Sequence, residues 1–209
     1  MKKLGVLLLL GLAVVMLGGN ALAQNVGDKS VFFVTYYSNA NTTDAQNVLL
    51  RLINDGGAST SEVEGQANGT LWASIYVFDD SQELQECCSC YVSADGLLSE
   101  WVDFAEAGPY QGYLTSNSLT GKLNHVGVIK IISSSSPDPT NNVPKAGLHG
   151  TMVHQQLFAG DTYLATETPL ADANLVSAEQ SALQSSCSFA ITLGSGAGTC
   201  SCTEEDHDF

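Results

Sequence analysis

The sequence predicts an all-β protein: a single antiparallel β-sandwich, stapled by disulfides, with one short C-terminal helix. Three observations carry this. Seven or eight short runs rich in β-branched and aromatic residues are separated by turn signals. Six cysteines, an even number, fall in two clusters: Cys87, Cys88 and Cys90 in the middle, and Cys187, Cys200 and Cys202 near the end. One helical pattern stands out, late in the chain. An immunoglobulin-like arrangement is one form such a sandwich takes. No repeat and no second core is visible, so residues 24–202 read as one domain.

The elements follow in order. Val31 to Tyr37 is a β-branched and aromatic run of strand length. In Asn47 to Ile53, Leu50 and Leu52 alternate with Arg51 before Gly56-Gly57 ends the run, which favours a strand. Ala58 to Gly69 is a polar loop. Leu71 to Phe78 reads as a central strand that delivers the chain into Asp79-Asp80-Ser81. Asp80 or Ser81 there is placed to cap a single helical turn over Gln82 to Glu86. Cys90 to Val92 and Leu97 to Phe104 flank an Asp95-Gly96 step, a hairpin signal. Phe104 to Gly121 reads as irregular. Val126 to Ile132 is an apolar strand, and Ser133 to Pro144 is loop by composition. Leu148 to Phe158 and Tyr163 to Thr168 form a hairpin across Ala159 to Asp161. Ser177 and Gln180 have the spacing of a capping box, and Leu183, Cys187 and Ile191 share one helical face up to Gly194.

The N-terminus addresses the compartment. Lys2 and Lys3 precede an apolar run from Leu4 to Leu17, and Ala21-Leu22-Ala23 supplies the small residues a signal peptidase reads. The run is short for a bilayer span, and no basic group follows it to hold it there. Residues 1–23 are therefore expected to be a signal peptide that leaves a secreted, periplasmic or cell-envelope protein with no membrane span. Residues 203–209 are expected to be a flexible acidic tail. The whole chain carries a net charge of −15, and losing Lys2 and Lys3 makes this −17. Such a surface repels phosphate backbones and anionic lipid, which excludes nucleic acid as a partner. A cationic partner, a divalent cation or simple solubility remains. With 44 % apolar residues the chain has enough material for a core.

In an exported chain six cysteines imply three disulfides, with fifteen connectivities open. Adjacent cysteines sit too close at Cα for an unstrained bridge, which disfavours Cys87–Cys88, and Cys200–Cys202 is only slightly better placed. Bridges from one cluster to the other avoid both problems and close loops of around a hundred residues, where stabilisation is of order 4 kcal/mol each. A thiolate metal site is the rival, but neither cluster has the C-x₂₋₄-C spacing usual for structural zinc. A redox C-x-x-C motif is spoiled by Cys88 between Cys87 and Cys90.

Other chemistry is weakly marked. Asp79, Asp80 and Glu83, with Glu86, could offer oxygens to Ca²⁺, although the EF-hand spacing is absent and a capped, solvated turn explains them as well. His149 and His154 differ by five on a strand, so they face opposite ways and do not make a joint metal site. His125 and His207 stand alone. Gly194-Ser195-Gly196 is a linker and no nucleophile elbow. Asn41 and Asn68 begin glycosylation-type triplets of the kind that arise by chance. No catalytic residue and no cofactor is expected.

The segments YVFDDSQELQECCSC (76–90), DGLL (95–98), SLTG (118–121), TETPL (166–170) and LGSGAGTCSC (193–202) resemble a group of exported bacterial proteins that share this cysteine layout. The resemblance implies export and the two cysteine clusters, and no activity. The expectation is a non-enzymatic structural or interaction protein of the envelope or extracellular space, its partner a protein or other envelope component. The alternatives are a metal-binding protein using the Asp79–Cys90 segment and a hydrolase whose site is assembled from distant residues.

Overall fold

The computed structural model describes residues 31–38, 48–60, 67–103, 113–115, 126–159, 162–193, 198–200 and 202. The signal segment, the acidic tail, His125, His207 and the Gly194–Gly196 linker lie outside them. The elements are β1 (Phe32–Ser38), β2 (Val48–Asn54), β3 (Leu71–Asp79), β4 (Leu84–Val92), β5 (Leu97–Asp103), β6 (Tyr113–Thr115), β7 (Val126–Ser134), β8 (Leu148–Ala159), β9 (Thr162–Pro169), β10 (Ala171–Asp172) and α1 (Ser177–Thr192).

The strands make two five-stranded sheets, ordered β10-β1-β7-β3-β4 and β6-β5-β2-β8-β9. All pairs are antiparallel except β5 with β6. This is the all-β sandwich with one C-terminal helix. Its strand order is not that of an immunoglobulin domain, where the first two strands pair. Here β1 pairs with β7, and β2 belongs to the opposite sheet.

Alternation along the strands builds the core. Phe33 and Tyr37 of β1, Ala73, Ile75 and Val77 of β3, and Ile129 and Ile131 of β7 meet Leu50 and Leu52 of β2, Leu98 and Val102 of β5 and Met152 of β8 between the sheets. The opposite face of the first sheet carries Phe32, Tyr76 and Ile132, and α1 covers them with Leu183 and Cys187. Gly127 lets β7 and β3 approach: a Cβ there would run into the Phe78 carbonyl and the Tyr37 ring.

Four local expectations are corrected. No helical turn follows Asp80; β3 turns over Asp79–Glu83 straight into β4, which contains all three central cysteines. The Asp95-Gly96 turn is present, with Asp95 at φ 60° and Gly96 N–H donating to the Ser93 carbonyl. It joins strands of different sheets, so it closes no hairpin. A short strand, β6, interrupts the segment read as irregular. In α1 the cap is Val176, with no side-chain cap bond, and the buried face is Leu183, Cys187 and Ala190; Ile191 is 43 % exposed. Around the helix Leu183 and Ala190 lie to the same side of Cys187, the side packed on the sheet, whereas Ile191 lies to the other.

Candidate functional site

The most distinctive chemistry in the structure is a sulfur-bonded latch at the edge of β4. Strand parity sorts its cysteines. Cys87 points to the helix-covered face and bonds Cys187 of α1, with Cα atoms 5.8 Å apart. Cys88 and Cys90, one and three residues on, point between the sheets and bond Cys200 and Cys202, at Cα separations of 5.3 and 5.5 Å. All three spacings suit unforced disulfides. Every bridge joins one cluster to the other, and no cysteine is left free.

The segment 198–200 reaches its sulfur partners by pairing with β4 at a single parallel bridge. Thr199 forms a parallel bridge with Cys87, Cys87 N–H donates to the Gly198 carbonyl at 3.0 Å, and Cys200 N–H donates to the Cys87 carbonyl at 3.4 Å. Cys88–Cys200 and Cys90–Cys202 each span 112 residues. They are two successive rungs of one register, on one face. Gly198 starts this pairing at φ +97°, a conformation that favours glycine, with Ala190 of the helix closely packed against it. The tail therefore covers an edge strand that would otherwise present unpaired backbone groups.

The acidic residues before β4 do a different job. Asp79 Oδ1 accepts hydrogen bonds from Ser81 N–H at 3.0 Å and Glu83 N–H at 2.9 Å, and Oδ2 accepts from Gln85 Nε2 at 2.8 Å. Both oxygens are thus engaged in holding the β3–β4 turn. Asp80 and Glu83 are exposed beside it, and Glu86 is fully buried on β4. Among the described residues, the group of three or more candidate ligands close enough for one ion is Cys88, Cys90 and Cys202.

The histidines on β8 stand apart. His149 Nε2 lies 3.4 Å from Asp55 Oδ2, while the His154 ring stacks on Tyr36 with centroids 4.9 Å apart. His154 Nε2 is buried with no hydrogen-bond partner among the described residues, and burial lowers its pKa below the ordinary value.

Sequence reasoning missed a polar junction under the helix. Asn142 Nδ2 donates to Tyr76 Oη at 2.6 Å, and Tyr76 Oη donates to the Pro139 carbonyl at 2.6 Å. Gln180 Nε2 donates to Asn142 Oδ1 at 2.9 Å and to its carbonyl at 3.1 Å. Gln180 thus ties the helix to a loop and caps nothing. The Tyr76 phenol is held well above its usual pKa, mainly by burial; the Asn142 hydrogen bond opposes this and the nearby Asp138 charge adds to it. Glu100 was also missed: it is fully buried on β5 between Leu98 and Val102. Its signal was an acid at an inward position of an alternating strand.

No family model, curated protein or solved structure matches this chain. Three disulfides are the chemistry of an oxidising, non-cytoplasmic compartment. Among the described residues no helix is long and apolar enough to cross a membrane.

Proposed function

We propose that this is an exported, non-enzymatic structural or interaction protein of the envelope or extracellular space, built to stay folded where no reductant maintains thiols. The observation that carries this reading is that all six cysteines are paired in bridges that fasten the sandwich, none left as a free thiol. The acidic stretch beside them serves a turn. The N-terminal pattern of Lys2, Lys3, the apolar run and Ala21-Leu22-Ala23 supports export, with Gln24 as the first mature residue. The exposed Phe189 on α1 and the exposed Ile53 and Leu97 on the outer face of the second sheet give it apolar contact points for a partner.

Expression of the full chain with its own leader tests this. The mature protein is expected outside the cytoplasm, starting at Gln24 and six hydrogens lighter than its fully reduced form. A cytoplasmic protein with an intact N-terminus and six titratable thiols would refute the reading.

A further inference from the structure

We propose that the two rungs Cys88–Cys200 and Cys90–Cys202, once reduced, form a four-thiolate site for a zinc-class divalent cation. Disulfide and metal would then be alternative ways of closing the same latch.

The geometry comes from the register. A C-x-C pair on a strand puts both sulfurs on one face, so the short spacing that argues against zinc in a loop does not argue against it here. Cys88 Sγ and Cys90 Sγ are 3.7 Å apart. The edge of a tetrahedral zinc–thiolate centre is about 3.8 Å, from Zn–S bonds of about 2.3 Å. Cys202 Sγ lies within 4.8 Å of both, and Cys200 Sγ is bonded to Cys88. The parallel tail thus supplies a second C-x-C pair facing the first. Three sulfurs, those of Cys88, Cys90 and Cys202, already lie within reach of one ion, and Cys200 Sγ, bonded to Cys88, becomes the fourth ligand by turning in toward them once the bonded pairs separate to the tetrahedral edge. Thiolates select soft and borderline ions of the zinc class over Ca²⁺ or Mg²⁺. Cys88, Cys90 and Cys200 are buried, which shields the bound ion, while Cys202 is half-buried and gives a reductant and the metal their way in.

The chemistry balances as follows. An external dithiol attacks Cys202 Sγ, breaking the Cys90–Cys202 bond. Its second thiol then displaces the mixed disulfide, leaving two protein thiols and an oxidised dithiol. A second dithiol does the same for Cys88–Cys200. The four thiols bind one M²⁺ and release four protons, giving a tetrathiolate centre of net charge −2. Cys87 and Cys187 lie on the other face and take no part.

The test uses the full chain in two variants kept under reductant without oxygen. One carries Cys87→Ala and Cys187→Ala and keeps the four proposed ligands. The other carries Cys88→Ala, Cys90→Ala, Cys200→Ala and Cys202→Ala. Co²⁺ alone is the probe. The first variant is expected to bind one equivalent with the intense visible bands of tetrahedral cobalt–thiolate, lose them to one equivalent of Zn²⁺, and show the circular dichroism of a β-sandwich in the complex. If reduction alone unfolds it, the metal is expected to restore that spectrum. The second variant is expected to show no such bands. Octahedral or substoichiometric binding by the first variant would overturn the proposal. So would equal binding by the second, or a tetrahedral complex on a chain that stays unfolded. Failure here leaves the disulfide reading standing, because that rests on the oxidised protein.

Discussion

Cys88 and Cys200 face each other across a parallel pairing, 112 residues apart in sequence and 5.3 Å apart at Cα. Cys90 and Cys202 repeat the same offset two residues on. The segment ending at Cys202 is therefore fastened to β4 at two sulfur rungs beside one backbone bridge, while Cys87 on the other face holds the helix. This makes the three bridges energetically interdependent. An isolated cross-link closing a loop of about 100 residues is worth about 4.7 kcal/mol, and one closing about 15 residues about 3 kcal/mol. With the other two bridges intact, each bridge closes only a short residual loop. Replacing Cys87 and Cys187 by alanine is therefore expected to cost about 3 kcal/mol, and replacing either rung about 2 kcal/mol. Chemical denaturation of the three double variants measures this. Losses near 4.7 kcal/mol for each would show that the bridges act independently.

Asn142 joins β3, the loop and α1 through Tyr76 and Gln180. Asn142→Ala removes several of these bonds at once and is expected to cost about 2–3 kcal/mol, against about 1 kcal/mol for Tyr76→Phe. Denaturant midpoints decide between this and an ordinary surface substitution, which would move stability by less than about 0.5 kcal/mol.

The raised pKa of Tyr76 has a consequence at high pH. The folded state keeps the phenol protonated where the unfolded chain would lose the proton. The resulting stability is present below about pH 10 and is lost as pH rises beyond it. Spectrophotometric titration should show one tyrosine that ionises only with unfolding, and Tyr76→Phe should remove that phase.

His154 works in the opposite direction. Its folded pKa is lowered, so as pH falls through about 6.5 the unfolded state takes up the proton first and stability declines. Thermal midpoints at about pH 7.5 and pH 5 should fall further apart in the wild type than in His154→Gln. An identical acid shift in both proteins would assign the effect to other groups.

Gly127 and Asp79, register partners where β3 enters its turn, test the support of the β3–β4 hairpin. Gly127→Ala forces a methyl group into the Phe78 carbonyl and Tyr37 and is expected to cost about 3 kcal/mol or more, seen as loss of folded yield. Asp79→Ala removes the acceptor for two backbone N–H groups and is expected to cost about 1–2 kcal/mol. Because both Asp79 oxygens are engaged in the turn, millimolar Ca²⁺ is expected to leave the wild-type melting temperature unchanged.

Much of the sandwich was legible because strand alternation is a local property. Leu50, Arg51 and Leu52 show their faces in three letters, and the apolar run from Leu71 to Phe78 reads as interior wherever it packs. The pairing between cysteine clusters was legible from the geometric cost of bridging neighbours. What misled was the acidic, glutamine-rich prelude to Cys87. Its composition favours a helical turn in isolation, and pairing with β3 overrides that preference. Once β4 is a strand, Cys-Cys-x-Cys means one sulfur on one face and two on the other, and the equal offsets of the two C-x-C pairs give the tail's register. Asn142 and Glu100 were harder to find, because a polar residue in a loop or a strand shows its burial only when a distant element covers it.

Peptide mapping of the non-reduced protein tests the central claim most directly. The latch requires three cross-linked pairs, Cys87–Cys187, Cys88–Cys200 and Cys90–Cys202, with proteolysis between each of the clustered cysteines to separate them. A bridge within either cluster, such as Cys88–Cys90 or Cys200–Cys202, would contradict it.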